Sequence, residues 1–548
     1  MGINGFYTHL VKNFPRIISS FNSFKHNQSV TKGWRNVNLY LDSNSIIYDA
    51  YNECKQKFID SKLSNDEIEL AIIQFVIQRI DQYIETISPT NVVFIAFDGV
   101  APMAKLNQQR SRRYKTNLFS KMQSENASVW NTGTITPGTS FMAMLTRDVS
   151  HHFNSAEKFG VNKLVVSGSN CIGEGEHKIY AFMRDYPKLH SDSTTIVYGL
   201  DSDLVMLSLC HLNICPNLFL FREAPHFIKF VNADFSSGES YVLNAGTFSE
   251  AIMAELCGAA DGGGGHRTKM YDYVVLCFLL GNDFLPHFPA LNIRTGGVDK
   301  LLDAYKSTLG KHPSECLFDG EDIQWNNLRM VVQYMANKEH DCLITEHAHR
   351  AKCEKCPIQK TGTEQEFMQA KTNLIPSYIR DDEQYINPSA TYWEHRYYRA
   401  LCGMQVSEGE KLRIKQLTPM CVNYLEGIEW TAKYYVRGCP DWRWSYQYHY
   451  PPLLGDLVHI IPRLPTSLIS PNSSRPVCQM VQLCYVTPLD GLGLIPPHVR
   501  GALLKSGWYR NDYKLMWAYC KYLWESHVDM NAIDIDALEN MVLLQPRV

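Results

Sequence analysis

Three features of the sequence predict an α/β fold whose sheet is mainly parallel and flanked by helices. Short apolar runs recur through the first half of the chain, and each ends in or leads to a carboxylate. Stretches of helical periodicity separate these runs, the alternation expected of a parallel sheet. From Tyr392 onward the chain turns aromatic and basic, with stretches of helical spacing that predict a second, mainly helical region.

Bulk composition sets the outer bounds. A chain of 548 residues has room for more than one domain, and 45% hydrophobic with 20% charged residues is globular. The net charge is −3, so any basic nucleic-acid surface has to be local. The 16 cysteines follow no repeating framework, which suits free thiols in a reducing compartment. The start shows no signal-peptide pattern, and Phe6 stands where a myristoylation site needs Ser or Thr. The apolar run around Tyr273–Gly281 is too short to span a bilayer. An intracellular protein without membrane attachment is expected, cytoplasmic ahead of nuclear.

The elements follow in order. An amphipathic stretch opens the chain, with Phe6, Leu10, Val11, Phe14, Ile17 and Ile18 as its apolar positions. Asn38–Asp42 reads as a strand ending in Asp42, and the helix after it puts Ile46, Ile47, Ala50 and Tyr51 on one face. Glu67–Ile87 is a second helix. Asn91–Phe97 is a buried strand that runs into Asp98-Gly99. Lys105–Lys121 carries Lys105, Arg110, Arg112, Arg113, Lys115 and Lys121 and no acid. Lys105, Gln109, Arg112 and Arg113 fall at i, i+4, i+7 and i+8, on one helical face. Unpaired cations grouped in this way suit a phosphate; a solvated basic face is the alternative. Asn131–Phe141, with Pro137-Gly138, is a loop into another helix, and Val161–Ser167 is a strand.

Three more acidic segments complete the set. Gly173-Glu174-Gly175-Glu176-His177-Lys178 places acids at a helix start, where the backbone dipole favours them, between glycines that permit close approach. In Thr195–Leu209 an apolar run reads as a buried strand ending in Asp201 and Asp203. Their i, i+2 spacing would point both the same way off the sheet. Tyr271–Leu280 is predicted as the last strand, leading through Gly281-Asn282 to Asp283. Seven carboxylates then gather beyond the carboxyl ends of the strands, where sheets of this kind bind ligands. Such a cluster needs cations, and oxygen ligands select hard divalent ions, Mg2+ or Mn2+. Two ions about 4 Å apart are a known solution for in-line phosphodiester cleavage.

The remainder is less telling. Gly262–Gly265 reads as a flexible loop without chemistry. From Lys306 to Pro388 the pattern weakens. His347, His349, Cys353 and Cys356 raise the question of zinc, but a second cysteine pair is missing and Pro357 follows directly, so free thiols are favoured. Tyr392–Arg399 is helical, and Tyr424, Leu425, Ile428 and Trp430 recur at helical spacing. Arg437–Trp444 opens a loop holding Tyr446, Tyr448 and Tyr450. Its interleaved arginines suit stacking on unpaired bases, with a hydrophobic core as the alternative. Pro451–Val548 reads as structural cover.

Several of these segments are specific enough to carry a resemblance. They are M-G-I-N-G-F-Y, L-Y-L-D-S-N-S-I-I-Y, F-D-G-V-A-P-M-A-K-L-N-Q-Q-R-S-R-R-Y, I-T-P-G-T-S-F-M, G-E-G-E-H-K-I, Y-G-L-D-S-D-L-V-M-L and L-L-G-N-D-F-L-P-H-F-P. Later come Y-L-E-G-I-E-W and Y-Y-V-R-G-C-P-D-W-R-W-S-Y-Q-Y-H-Y-P-P. In residues 1–300 and about 390–460 the chain resembles the 5′→3′ exoribonuclease (XRN-type) family, within the PIN-like and flap-endonuclease group of folds. The resemblance implies a nuclease core over residues 1–306, a variable linker over 307–389, and a second region over 390–548 that encloses the active-site pocket.

It also implies roles. Asp42, Asp98, Glu174, Glu176, Asp201, Asp203 and Asp283 would be the catalytic metal ligands, for two Mg2+ ions or Mn2+ in their place. Lys105, Gln109, Arg112 and Arg113 would bind the 5′-phosphate. The first base would stack between an aromatic after the first acidic motif, here Tyr48 where the family has His, and Trp444 or Trp442, with Trp444 preferred. Tyr48 can stack but carries no proton near neutral pH. The implied activity is processive hydrolysis of single-stranded RNA with a 5′-monophosphate, by a monomer. The competing readings are a 5′ DNA nuclease of the flap type and an RNA-binding scaffold with a weak site. Family members usually run longer, so a short member without the extra C-terminal domains of the cytoplasmic type is expected.

Overall fold

The structure is a computed structural model, and it describes residues 2–544 apart from 4, 32, 62, 123–129, 224–238, 258–265, 311, 313, 359–361 and 470–473. Gly262–Gly265 therefore lies outside the described residues.

Seven strands form one sheet: β1 (Ile18–Ser20), β2 (Val37–Asp42), β3 (Val92–Ala96), β4 (Lys163–Ser167), β5 (Thr194–Tyr198), β6 (Leu218–Glu223) and β7 (Ser240–Asn244). Their order is β1-β7-β6-β5-β2-β3-β4. The five strands from β6 to β4 are parallel, while β7 and β1 add an antiparallel edge. The chain winds outward from β2 through β3 to β4, then returns to the other side of β2 as β5. Winding reverses between β2 and β5, and the crevice beyond the carboxyl ends of such a pair is where open α/β sheets bind ligands.

Burial on both faces explains why the central strands are continuous apolar runs. Leu39, Leu41, Val93, Ile95 and Ile196 point into one core, under the helices Asn44–Ser61, Asn65–Ile87 and Ser140–His152. Tyr40, Phe94, Ala96 and Val197 alternate to the other face. There they join a larger core that includes the helices Gly175–Asp185, Asp203–His211 and Glu410–Val436. A third core joins Met103 and Leu106, on the cationic helix Met103–Met122, to Val481, Leu483, Leu503 and Leu538 near the C-terminus.

Two predicted strands are corrected. Tyr271–Leu280 lies largely in a helix, His266–Phe278. Tyr271, Val274, Val275, Leu276 and Phe278 are all buried, so no periodicity distinguishes the helix from a strand. The run Thr195–Leu209 splits at Gly199: β5 stops at Tyr198, and a helix begins at Asp203. Asp201 and Asp203 therefore owe their placement to a loop and a helix start, not to strand alternation. In the segment expected as a variable linker, Trp325–Glu354 is a 30-residue helix whose Trp325, Leu328, Val331, Val332 and Met335 join the larger core. Among the described residues no helix is long and apolar enough to cross a membrane.

Candidate active site

The seven acids reach the carboxyl end of the sheet on five segments. Asp42 is the last residue of β2. Asp98 follows β3 and accepts hydrogen bonds from Gly175 N (2.7 Å) and Asn44 Nδ2 (2.6 Å), so it caps the helix Gly175–Asp185. Glu174 precedes that helix and Glu176 lies in its first turn. Lys178 Nζ donates to the carbonyls of Phe97 and Gly168, 2.8 Å each, and so ties the ends of β3 and β4 together beneath them. Asp201 accepts the Asp203 N–H at 3.3 Å in the loop after β5. Asp283 sits in a tight loop after the helix His266–Phe278. Gly281 takes φ +84° there, and Asn282 Oδ1 accepts the N–H groups of Phe284 and Leu285 at 2.9 Å each.

These carboxylates feel one another. Burial and the neighbouring Asp98 push Asp42 up to about 7. Burial, with Asp283 next, raises Asp203 to about 6. Glu174 and Glu176 are raised by burial too, against the pull of Lys105. The Lys105 ammonium lies 2.6 Å from Glu174 Oε2 and 2.8 Å from Asp283 Oδ2. Burial would raise Asp283 as well, but the charge and hydrogen bond of Lys105, together with other nearby cations such as Arg112, hold this carboxyl at about 2.

The donor set fits a hard divalent cation: it is all oxygen, burial and neighbouring carboxylates hold Asp42 and Asp203 above their usual range, and it is lined by glycine. A Cβ at Gly175 would collide with Asp42 Oδ1, and one at Gly2 with Asp203 Oδ1, so these two positions leave room at the carboxylate oxygens. Among the described residues no three acidic, histidine or cysteine side chains already gather round a single point. Lys105 draws Glu174 and Asp283 together instead.

The four residues expected on one phosphate-binding face divide their tasks. Lys105 belongs to the acid cluster. Gln109 is buried. Arg113 donates to the carbonyls of Gly133 (3.2 Å) and Ile135 (3.3 Å); burial lowers it to about 10, with Tyr48 acting in the opposite sense. Arg112 is exposed. It borders a cavity of about 650 Å3 that Gln108, Ser111, Asp283 and His287 also line.

The comparisons with known proteins settle the lineage. Residues 1–224 match the family model described as "XRN 5'-3' exonuclease N-terminus". Residues 268–385 and 378–540 match "Xrn1 helical domain". The chain belongs to the XRN 5′→3′ exoribonuclease family. The first match ends just beyond β6 and the second begins within the helix His266–Phe278, so the XRN pair of regions coincides with the sheet and the helical part of the fold.

Among XRN relatives, the chain is 25% identical to "5'-3' exoribonuclease 1" of Saccharomyces cerevisiae, over 91% of this chain and 40% of that one. It is 28% identical to the Homo sapiens protein of the same name, over 84% of this chain and 29% of that one. It is 25% identical to "5'-3' exoribonuclease 2 homolog" of Drosophila melanogaster, over 90% and 65%. The chain thus spans less than two thirds of the length of each of these XRN proteins.

Trp444, expected to stack on the first base, packs largely inside the core. Trp444 is 8% exposed, stacks on Trp430 at 5.2 Å and donates from Nε1 to Glu426 at 3.2 Å. It is a core residue, because Gly427 lets its ring settle against the helix Glu410–Val436. Trp442 is only half-buried, and its carbonyl accepts the Met103 N–H at 3.0 Å, at the start of the cationic helix. Tyr48 is half-buried on the helix Asn44–Ser61. Cys353 Sγ lies 3.5 Å from His349 Nε2, while Cys356 faces the Lys352 carbonyl; the two thiols form no metal group with the neighbouring histidines.

Three further residues hold the acids in place and carry little signal in the sequence. Asn44 clamps Asp98, and its nearness to Asp42 in the D-S-N motif was the available signal. Tyr434 O–H donates to Glu174 Oε1 at 2.9 Å, and Tyr435 lies beside Asp203, whose charge adds to burial in raising its phenol. Both tyrosines come from about 230 to 260 residues away in sequence, and local pattern carries no trace of such a contact.

Proposed function

We propose that this chain is a processive 5′→3′ exoribonuclease that acts as a monomer on single-stranded RNA bearing a 5′-monophosphate. The observation that carries the reading is the set of carboxylates drawn round Lys105 at the switch point of the sheet, beside a cationic helix whose Arg112 is exposed. Asp42, Asp98, Glu174, Glu176, Asp201, Asp203 and Asp283 are the residues that would hold divalent cations, two Mg2+ or Mn2+ ions in this reading. When bound, these ions supply counter-charge and polarise the scissile phosphate.

The chain's own residues do the rest. Arg112 takes the terminal phosphate through a forked, permanently charged donor set. Gln109 offers an amide on the same helix, and Arg113 fixes the loop Gly133–Ile135 beside it. Tyr48 and Trp442 flank the first base by stacking, which tolerates any base. Water adds to the first internal phosphorus, the bond to the 3′-oxygen breaks, and that oxygen leaves with a proton. A nucleoside 5′-monophosphate departs, and the shortened strand again carries a 5′-phosphate, so it can be cut again without leaving.

The test is product analysis on end-labelled RNA. With Mg2+, 5′-monophosphate RNA yields mononucleotides in 5′→3′ order, 5′-hydroxyl RNA is spared, and EDTA stops the reaction. Alanine at both Asp201 and Asp203 abolishes cleavage and leaves RNA binding intact. Faster cutting of a DNA flap than decay of RNA would overturn the assignment.

A further inference from the structure

The helical region does more than cover the sheet. Its helix Glu410–Val436 ends with two adjacent tyrosines, and each phenol meets a different acid of the cluster. Tyr434 O–H donates to Glu174 Oε1 at 2.9 Å. Tyr435 lies beside Asp203, whose negative charge adds to burial in raising its phenol. Neighbouring residues on a helix diverge by about 100°. One helix end therefore reaches the acids of two separate loops at once, one before Gly175–Asp185 and one after β5.

Both rings are held firmly. Tyr434 stacks on His177, with centroids 3.6 Å apart and planes 19° apart, and meets Trp430 (4.7 Å) and Phe284 (5.7 Å). Tyr435 packs edge-on against Phe278 at 5.3 Å and His177 at 6.0 Å. Both are 2% exposed. Glu174 offers its other oxygen, Oε2, to Lys105. Its two oxygens are thus split between a phenol from the helical region and a cation from the sheet region.

We propose that Tyr434 and Tyr435 are positioning residues that orient Glu174 and Asp203 for cation binding, so that the helical region sets the metal affinity of a site whose acids lie in the sheet region. A phenol that occupies one face of a carboxylate fixes which lone pairs remain for the ion, and outer partners of this kind are worth about 10- to 100-fold in metal affinity. The proposal rests on the metal-dependent reading above and concerns residues outside the acid cluster itself.

The experiment measures Mn2+ binding calorimetrically on the full chain without RNA, at fixed pH. Tyr434→Phe and Tyr435→Phe keep the rings and their packing. Each is expected to weaken Mn2+ binding about tenfold, and the double variant more. In turnover assays the lost rate returns as Mn2+ is raised, with KM for RNA unchanged. Tyr397→Phe removes another buried phenol, one that donates to the Pro451 carbonyl at 2.9 Å, and should leave Mn2+ affinity unchanged. Single variants that bind Mn2+ within twofold of the parent chain would overturn the proposal, as would an equal loss in Tyr397→Phe. A parent chain that binds no Mn2+ would overturn it together with the metal reading. The expected affinity pattern without RNA hydrolysis would sustain the proposal and sink the exonuclease.

Discussion

Asp42 and Arg112 show how much a single side chain decides here. A carboxyl pushed up to about 7 on folding binds its proton more tightly folded than unfolded. Asp203, at about 6, behaves in the same way. The sign follows: with metal removed, the folded state is favoured at low pH and loses stability as pH rises from about 4 to about 7, then levels off. Thermal melts in EDTA between about pH 5 and 8 should trace that fall, and Asp42→Asn should flatten it while removing activity. An unchanged slope in the variant would assign the effect to other groups. The two arginines separate cleanly. Arg112→Ala should erase the preference for 5′-monophosphate over 5′-hydroxyl ends with little change in melting temperature. Arg113→Ala should instead cost about 1–3 kcal/mol of stability, because it strands the carbonyls of Gly133 and Ile135.

At the scale of elements, the loop Arg437–Trp444 supplies the sharpest contrast. Trp444→Ala empties a core position and should destabilise by about 3–5 kcal/mol. Trp442→Ala should leave the melting temperature nearly unchanged and weaken RNA binding, by about 1–3 kcal/mol if one base stacks there; fluorescence titration with a short 5′-phosphorylated strand separates the two. What the sequence revealed of these elements follows from burial. β2, β3 and β5 are legible because helices cover both faces and leave unbroken apolar runs. The helix His266–Phe278 is indistinguishable from a strand for the same reason, since Lys269–Phe278 is buried all round. β1 and β7 escaped notice as short members of an antiparallel edge whose pairing partners are distant in sequence. The acids were legible because charge at the end of an apolar run is costly without a purpose. The fate of Trp444 was not, since a buried and an exposed tryptophan look alike in a chain of letters.

Across the whole molecule, sheet and helical regions share one large core, and the acid cluster lies where they meet. Activity should therefore be lost in one step with the global unfolding of the two together, a point that tryptophan fluorescence and RNA turnover across a urea gradient can check by coincident midpoints. Lys105 gives this union a further meaning. An assembly of like charges could be made to wait for its ion before it closes. Here an ammonium from the chain itself stands between Glu174 and Asp283 from the outset. The expected outcome is a chain that reaches its native form without divalent ions and takes them up afterwards. Refolding from denaturant in EDTA should succeed for the parent chain, whereas Lys105→Met should refold well only when divalent ions are present.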